Sequence, residues 1–356
     1  MSVAPSRGGA NPRSTTKPRG TRPGALSDSQ VSARRDKLRR RRHYRALEHV
    51  SNRSRRRRVR IYGWRVDATL ILPDGRKVSV WEGGSPGGVP IVFHHGTPSG
   101  RLQAALGADA AVRQNVRIVS FNRPGYGEST DTAPGLASVG ADTMLVADAL
   151  GISEFAVLGA SGGGPYALAT GLADPGRVRA VGVAGGVGPW RLITPPDPDD
   201  PDLPILALVD AGDVPGALAG FRAQARVAFE RMLALPDEAM VDEFFRDAPT
   251  EDLSWLDQGA RRLWAADARD ALHTYDGYAR DNVSWGGPWD IDPARIEVPT
   301  WLWYGELDRM VPPEHGRWHA ERIPNSTLTI IPAAGHGGTI FAQWDDMLGV
   351  LRAAVR

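Results

Sequence analysis

The chain has 356 residues, of which 42% are hydrophobic and 24% charged, enough for one large globular domain with an insertion or for two domains. It contains no cysteine, which excludes disulfides, thiolate metal sites and a cysteine nucleophile. The net charge of +2 combines a basic beginning, with 19 Lys and Arg against 3 Asp and Glu in residues 1–60, and an acidic remainder with 24 against 38.

Residues 1–60 are rich in Gly, Pro, Ser and Arg and poor in apolar residues, so we expect a tail that is disordered when free. A basic helix over Leu38–Val50 could bind a polyanion weakly, but we expect no specific nucleic-acid recognition. A transit peptide or a wrongly assigned translation start would also account for such a tail. Because no secretory signal and no run of about 18 apolar residues is present, we expect a cytoplasmic protein without a membrane span.

The first foldable segment begins near Tyr62. The stretch WRVDATLILPDGRKVSVWEGG (64–84) alternates apolar and polar residues on both sides of Pro73, Asp74 and Gly75. This pattern predicts two antiparallel strands joined by a turn.

Short apolar runs then alternate with segments of helix length. This alternation predicts an α/β fold with a mostly parallel sheet and helices on both faces, in which functional groups lie beyond the carboxyl ends of the strands. The predicted strands are VPIVFHHG (89–96), VRIVSFNRPG (116–125), EFAVLGAS (154–161), VRAVGVAGG (178–186), VPTWLWYGELD (298–308) and STLTIIP (326–332). The predicted helices include VGADTMLVADALG (139–151), GGPYALATGLADP (163–175) and GTIFAQWDDMLGVLRAAV (338–355).

Residues 188–288 interrupt the alternation with a linker rich in Pro and Asp and with amphipathic helical stretches. We expect a helical lid here, inserted into a catalytic core that consists of residues 61–187 and 289–356. Five of the 11 tryptophans lie in or beside this region, where they suit either a ceiling over a pocket or packing against the sheet. They are Trp190, Trp255, Trp264, Trp285 and Trp289.

A candidate nucleophile lies in the segment GASGG (159–163), which matches the pattern Gly-x-Ser-x-Gly around Ser161. The segment follows a predicted strand and precedes a predicted helix. A sharp turn at such a place raises a serine hydroxyl above the edge of the sheet, and small neighbours tolerate the strained backbone that it needs. We therefore predict that Ser161 is a nucleophile.

A serine hydroxyl needs a base, and the base needs an acid that orients it. Of eight histidines, we select His336, in a loop between the last predicted strand and the last predicted helix. For the acid we prefer Asp308 to Glu306, because the acid usually lies a few residues beyond the strand end. The remaining histidines lie in the tail (His43, His49), in predicted helices (His273, His315, His319) or in the loop after the first parallel strand (His94, His95).

The loop HHGTPSG (94–100) is predicted to supply one half of an oxyanion hole. The donors would be the backbone N–H groups of Thr97 and of Gly162, the residue after the nucleophile. We interpret His95 as a residue that shapes this loop rather than as the base. Arg123 and Tyr126 either brace the same face through hydrogen bonds or are turn residues.

Together the motifs HHGTPSG, FNRPGYGEST, GASGGGPYA, GELDRMVP and AGHGG resemble the α/β-hydrolase superfamily in its lid-bearing branch, over about residues 64–356. The resemblance implies an α/β-hydrolase fold and a serine hydrolase that works through an acyl-enzyme. Serine in place of the aspartate of epoxide hydrolases and haloalkane dehalogenases argues against those branches. The sequence departs from the family at two places. The loop reads His-Gly-Thr-Pro rather than the His-Gly-Gly-Gly of many esterases, and a third glycine, Gly164, extends the elbow motif. We therefore do not infer a substrate preference from the resemblance.

We therefore expect a hydrolase of a small or medium carboxylic ester, with thioester, lactone or amide as further options. It would need no cofactor and no metal, and its partner would be a small-molecule substrate. Alternatives are a carbon–carbon bond hydrolase, a cofactor-free perhydrolase or haloperoxidase, and a non-catalytic binding protein with a polyanion-binding tail. A proline-type aminopeptidase is a further alternative, because the lid offers acidic residues that could hold an amine: Asp242, Glu243, Asp247, Glu251 and Asp252. The sequence gives no indication of the oligomeric state.

Overall fold

An eight-stranded sheet lies at the centre of the chain in a computed structural model that describes residues 64–193 and 197–355. The predicted basic tail, residues 1–60, lies outside the described residues. The strands are β1 (Trp64–Ile71), β2 (Lys77–Gly84), β3 (Val89–His94), β4 (Val116–Phe121), β5 (Phe155–Ala160), β6 (Val178–Ala184), β7 (Thr300–Gly305) and β8 (Ser326–Ile331). Their order is β1-β2-β4-β3-β5-β6-β7-β8.

The sheet is mostly parallel, as predicted. Strand β2 pairs antiparallel with β1 and with β4, and the five remaining pairs are parallel. The predicted hairpin at the beginning is also confirmed: Leu72 N–H donates to the carbonyl of Arg76 at 2.9 Å, and Gly75 has a φ of 87°. A left-handed φ of this kind favours glycine, which explains the residue at this turn.

Helices connect the parallel strands. In chain order they are α1 (Ala108–Arg113), α2 (Leu136–Ala149), α3 (Gly164–Ala173), α4 (Trp190–Ile193), α5 (Leu203–Asp210), α6 (Val214–Leu233), α7 (Asp237–Phe244), α8 (Gln258–Ala271), α9 (Asp276–Gly286), α10 (Pro313–Arg322), α11 (His336–Phe341) and α12 (Trp344–Ala354). Short 3₁₀ helices occur at Arg101–Gly107, Ser161–Gly163, Thr250–Leu253 and Pro293–Arg295.

Two hydrophobic layers cover the two faces of the sheet. Along β3, Val92 faces the layer that contains α2 and α3, whereas Ile91 and Phe93 face the layer that contains α1 and α12. This alternation follows from the twofold period of a strand, in which successive side chains point to opposite faces. Both faces are therefore buried, and the carboxyl ends of the parallel strands form one edge where side chains can converge.

The residues between β6 and β7, numbers 185–299, form what we call the β6–β7 segment. Its described part contains helices and no strand. Trp264 belongs to a small core within the segment, together with Met240 and Val241. The other tryptophans of the region contact the main core or α11: Trp190, Trp285 and Trp289 pack on the main core, and Trp255 stacks on Phe341.

The prediction of a single last helix is wrong. The sequence predicts one helix over residues 338–355, but the structure has two, α11 and α12, which are separated at Ala342 and Gln343. The break has a packing reason: Trp344 is buried against Phe93 beneath the sheet, whereas Phe341 contacts Trp255 of the β6–β7 segment. His336 is consequently the first residue of a short helix rather than a loop residue.

A second boundary also differs from its prediction. The sequence predicts that His273 is helical, but α8 ends at Ala271 and α9 begins at Asp276, so His273 lies between them. Within the described ranges, every helix is too short or too polar to span a lipid bilayer.

Candidate active site

Ser161 lies at the sharp turn between β5 and α3. Its φ is 52°, a left-handed conformation that is strained for a residue with a side chain. The turn passes so close to neighbouring backbone that a Cβ at Gly163 would collide with the carbonyl of His94, and a Cβ at Gly159 with the carbonyl of Gly163. The glycines of the predicted elbow are therefore required by close packing of strand and helix.

His336 lies within reach of Ser161. Its Nε2 is 3.0 Å from Ser161 Oγ, and its Nδ1 is 2.7 Å from Asp308 Oδ2. The geometry assigns the proton to Nδ1, which donates to the carboxylate, so that Nε2 accepts the serine proton. The structure thus brings together Ser161, Asp308 and His336, from the carboxyl ends of β5, β7 and β8.

Asp308 is fixed by its own loop. The side chain is fully buried, and its Oδ1 accepts hydrogen bonds from the backbone N–H groups of Met310 and Val311, both at 2.9 Å. These bonds leave Oδ2 free for His336. Glu306, the alternative acid, is exposed and accepts a hydrogen bond from Ala333 N–H at 3.1 Å, so it does not contact His336.

The two predicted oxyanion donors belong to loops that touch. A methyl group at Gly162 would stand 2.5 Å from Thr97 Oγ1 and 3.4 Å from Thr97 N. A methyl group at Gly96 would stand 3.4 Å from the Cβ of Ser161. The loop before Pro98 and the elbow thus converge beside the serine.

A buried carboxylate for which the sequence gives no prediction holds this loop. Asp281 of α9 accepts from Thr97 Oγ1 at 2.6 Å, and it forms an ion pair with Arg123 at 2.5 Å in which both side chains are fully buried. Tyr126 and Tyr166 donate to the same carboxylate at 2.8 and 2.7 Å. Burial and the nearby Asp281 raise the pKa of both tyrosines, so their hydroxyls stay protonated and remain donors.

Arg123 extends this contact to the rest of the loop. Its Nη1 donates to the carbonyl of His95 at 2.6 Å, and the His95 ring packs edge-on against Tyr126. The structure therefore shows Arg123 and Tyr126 bracing the loop, as one of the two interpretations of the sequence held. The sequence carries no local signal for Asp281, because it lies 184 residues from Thr97 in a helix of ordinary pattern.

Helix α8 contributes one further carboxylate to the same loop and a second to residues beside it. Asp267 is buried and accepts from Ser99 Oγ at 2.5 Å and from Gly100 N–H at 2.8 Å. Burial raises the pKa of Asp267 to about 6. Asp270 binds Arg101 at 2.5 Å and Asn122 at 2.9 Å. The β6–β7 segment thus contacts the loop after β3 through α8 as well as through α9.

The other described histidines near the sheet are buried and neutral. Burial lowers the pKa of His94 and of His319 to about 3 and that of His315 to about 4, and it places the pKa of His95 well below its usual range. None of them contacts Asp308 through a hydrogen bond, which leaves His336 as the histidine with a carboxylate partner. In residues 64–193 and 197–355, no cluster of His, Asp and Glu has the arrangement of a metal site.

Three of the five acidic residues named for the aminopeptidase alternative contact other groups of the protein. Asp242 pairs with Arg261, Glu243 pairs with Arg246, and Asp252 accepts three backbone N–H groups near His336. A carboxylate that holds a substrate amine needs free oxygen atoms in the site. These contacts therefore weaken the aminopeptidase alternative.

Comparisons with known proteins agree with the observed arrangement. A model described as "Alpha/beta hydrolase family" matches residues 91–352. A non-heme chloroperoxidase from Streptomyces lividans is 27% identical and covers 76% of this chain and 92% of its own length. A 2-hydroxy-6-oxo-6-phenylhexa-2,4-dienoate hydrolase from Burkholderia cepacia is 26% identical, with 66% and 74% covered.

The solved structure of an esterase from Exiguobacterium antarcticum is also similar. It superimposes with a TM-score of 0.56 at 20% identity, and the match covers 81% of this chain and 99% of that one. At this identity the similarity concerns the fold alone. Together with the family model, it confirms the predicted α/β-hydrolase fold.

We predict that Asp281→Ala lowers the free energy of unfolding by about 3–5 kcal/mol, because it leaves Arg123 buried without a counter-ion. Urea unfolding followed by circular dichroism measures the change. Asp276→Ala is the matched control, since Asp276 lies on the same helix and pairs with Arg222 at the surface. Its effect should not exceed about 1 kcal/mol. Equal losses in the two variants would contradict the prediction.

We also predict that stability falls in mild acid. His94, His95, His315 and His319 stay neutral in the folded protein, while the unfolded chain takes up protons below about pH 6.5. Each such histidine lowers the free energy of unfolding by up to about 1.4 kcal/mol for every pH unit below 6.5. Asp267 has the opposite effect on stability, because its raised pKa means that the folded protein takes up this proton at a higher pH than the unfolded chain. The four histidines outweigh this single carboxyl group.

Urea midpoints at pH 7.5 and pH 5.0 test this expectation. The midpoint should be lower at pH 5.0, and the His319→Leu variant should lose less stability than the wild type over this interval. A midpoint that is equal or higher in acid would show that burial of these histidines does not control the pH dependence.

Proposed function

The chain belongs to the Alpha/beta hydrolase family, and on that premise we propose that it is a serine hydrolase that cleaves a small or medium carboxylic ester. The observation that carries the proposal is the continuous chain of hydrogen bonds from Ser161 through His336 to Asp308. A serine beside a histidine whose other nitrogen donates to a buried carboxylate is the arrangement that activates a hydroxyl nucleophile.

In the proposed reaction, Ser161 Oγ attacks the ester carbonyl carbon while its proton passes to His336 Nε2. Asp308 stabilises the resulting imidazolium, and the N–H groups of Thr97 and Gly162 bind the negative oxygen of the tetrahedral intermediate. The carbon–oxygen bond to the alcohol then breaks, and the imidazolium gives its proton to the leaving oxygen. The product of this half-reaction is an acyl-enzyme on Ser161 and a free alcohol.

The second half-reaction returns the enzyme to its initial state. A water molecule attacks the acyl carbon, and His336 Nε2 takes one of its protons. The bond to Ser161 Oγ breaks, the serine recovers the proton from His336, and the carboxylic acid leaves. Every step uses side chains and backbone groups of this chain, so the proposal includes no cofactor.

We further propose that the β6–β7 segment covers the substrate as a lid. Two contacts support this role: Trp255 stacks on Phe341 of the helix that begins with His336, with ring centroids 4.1 Å apart, and Asp281 binds Thr97 at 2.6 Å. The segment therefore contacts the side of the base and the side of the oxyanion loop. A cover at these two places would exclude bulk water and would select the acyl and alcohol groups.

Perhydrolysis is a second candidate, because the Streptomyces lividans relative is a non-heme chloroperoxidase. The same acyl-enzyme would then be attacked by hydrogen peroxide instead of water, which gives a peracid and regenerates Ser161. Carbon–carbon bond hydrolysis is the corresponding option suggested by the Burkholderia cepacia relative. All three reactions would depend on the same three residues and would differ in the nucleophile or in the bond that breaks.

We predict that a fluorophosphonate probe labels the wild-type protein and that Ser161→Ala abolishes labelling, because the probe reacts with an activated serine. In-gel fluorescence measures the product. Absence of labelling in the wild type, or equal labelling of the variant, would contradict the proposed nucleophile.

A substrate panel distinguishes the three reactions on the same preparation. Aryl esters with acyl chains of two to eight carbons test ester hydrolysis, a vinylogous diketone tests carbon–carbon cleavage, and acetate with hydrogen peroxide tests peracid formation. We expect the highest kcat/KM for an ester, with every detected activity lost in Ser161→Ala. A higher value for the diketone or for peracid formation would replace ester hydrolysis by that alternative.

We predict that Asp308→Asn lowers kcat by about 10³–10⁴-fold, since an amide favours the wrong tautomer of His336 and no longer stabilises the imidazolium. Glu306→Gln is the matched control, because it removes an acid from the same loop that does not contact His336. Its kcat should stay within about twofold of the wild type. The reverse ranking in steady-state ester hydrolysis would assign the acid to Glu306.

A further inference from the structure

A carboxylate of the β6–β7 segment binds the backbone on both sides of His336. Asp252 lies in the 3₁₀ helix Thr250–Leu253, and its Oδ1 accepts from the N–H groups of Gly335 at 3.1 Å and Gly338 at 2.6 Å. Its Oδ2 accepts from Gly337 N–H at 2.8 Å. Asp252 is buried, its hydrogen bond with Gly335 is buried as well, and those with Gly337 and Gly338 are partly buried.

The glycines beside His336 are what allow this close contact. A methyl group at Gly338 would stand 2.7 Å from Asp252 Oδ1, and one at Gly335 would stand 2.7 Å from Asp252 Cγ. A methyl group at Gly337 would stand 2.6 Å from Trp255 Nε1. The sequence AGHGG therefore fits the Asp252 turn: a side chain at Gly335 or Gly338 would displace the carboxylate, and one at Gly337 would displace Trp255.

The turn that carries Asp252 is itself held against α11. Trp255 Nε1 donates to the carbonyl of Asp252 at 2.8 Å, and the Trp255 ring packs on Phe341. The carboxylate also occupies the first turn of α11, where N–H groups have no partner inside the helix and where negative charge is favourable. Asp252 thus combines three hydrogen bonds with an aromatic contact on the same short helix.

We infer that Asp252 is a positioning residue for the base of the reaction, an inference that rests on the proposed function of His336. His336 is the first residue of α11, and the N–H groups that Asp252 binds belong to the residues immediately before and after it. Its ring must meet Ser161 and Asp308 at once, at 3.0 and 2.7 Å. Displacement of the base by about 1 Å is enough to lower a rate by about 100-fold.

Asp252 also links the β6–β7 segment to the position of His336. It belongs to the β6–β7 segment, and its hydrogen bonds run directly to the backbone of α11. Movement of this part of the segment away from α11 would release Gly335, Gly337 and Gly338 and would disorganise the base. The position of this part of the segment is therefore coupled to that of His336.

Asp252→Asn tests the inference. Asparagine has one acceptor oxygen, and its NH₂ group cannot accept from the third N–H, so the fixed position of α11 is weakened. We expect kcat for an aryl ester to fall by about 10–100-fold, with KM changed less than about threefold. The second-order rate of fluorophosphonate labelling should fall in parallel, because both reactions need His336 to accept the proton of Ser161.

Asp257→Asn is the matched control. Asp257 lies five residues further along the same segment, is exposed, and accepts from Gly259 and Ala260 N–H groups, both at 2.8 Å, at the beginning of α8. The variant makes the same Asp→Asn change at a helix-capping residue that has no contact with α11, and asparagine keeps the one oxygen that accepts both N–H groups. Its kcat and labelling rate should stay within about twofold of the wild type, while thermal unfolding is recorded for both variants.

Gly338→Ala changes the other partner of the same contact. It tests the inference independently if Asp252→Asn does not fold. The added methyl group displaces the carboxylate, so we expect kcat to fall by about 10–100-fold, as in Asp252→Asn. Because both changes break one contact, the double variant should lose little more than either single variant. Additive losses in this cycle would show that the two residues act independently and would overturn the inference.

The outcomes separate this inference from the proposed function. If the wild type does not react with the fluorophosphonate, the proposed function fails, and the inference fails with it. If the wild type reacts and Asp252→Asn reacts at the same rate, or shows only a raised KM, the inference alone is overturned. A fall in kcat confined to Asp252→Asn and Gly338→Ala, with Asp257→Asn unchanged, supports it.

Discussion

The ion pair between Arg123 and Asp281 is the interaction on which the candidate site most depends. Both side chains are fully buried, so removal of these charges from water must be offset by the pair itself and by the surrounding donors. Thr97, Tyr126 and Tyr166 supply those donors. The loop after β3 is therefore part of the network that stabilises the buried ion pair, and a change in its position would break hydrogen bonds of that network.

Three carboxylates of the β6–β7 segment contact the core at separate places. Asp281 binds the loop at Thr97, Asp267 binds it at Ser99 and Gly100, and Asp252 binds the backbone around His336. A segment that only covered a pocket would need apolar contact and no such bonds. Because each carboxylate is buried and hydrogen-bonded, removal of any one of them would leave buried N–H or O–H donors without a partner.

The proposed triad would allow several reactions, because the residues that would form and break bonds are distinct from those that would select the substrate. Ser161, His336 and Asp308 form one chain of hydrogen bonds at the edge of the sheet. The acyl-enzyme that they would form can be released by water or by hydrogen peroxide, and the residues that cover it decide which acyl and alcohol groups fit. Relatives named as a chloroperoxidase and as a dienoate hydrolase are consistent with such a division.

The sequence alone determined the features that depend on local backbone geometry. The twofold period of the strands, the glycine turn of the first hairpin and the elbow around Ser161 each leave a pattern within about ten residues, and residue type with chain order sufficed to select Asp308 and His336. Tertiary structure alone decided which carboxylate satisfies which buried donor. Asp252 and Asp281 lie in helices of ordinary pattern, more than 80 residues from the groups they bind. A buried donor can be satisfied by any acceptor that packing brings close, and periodicity along the chain does not encode that proximity.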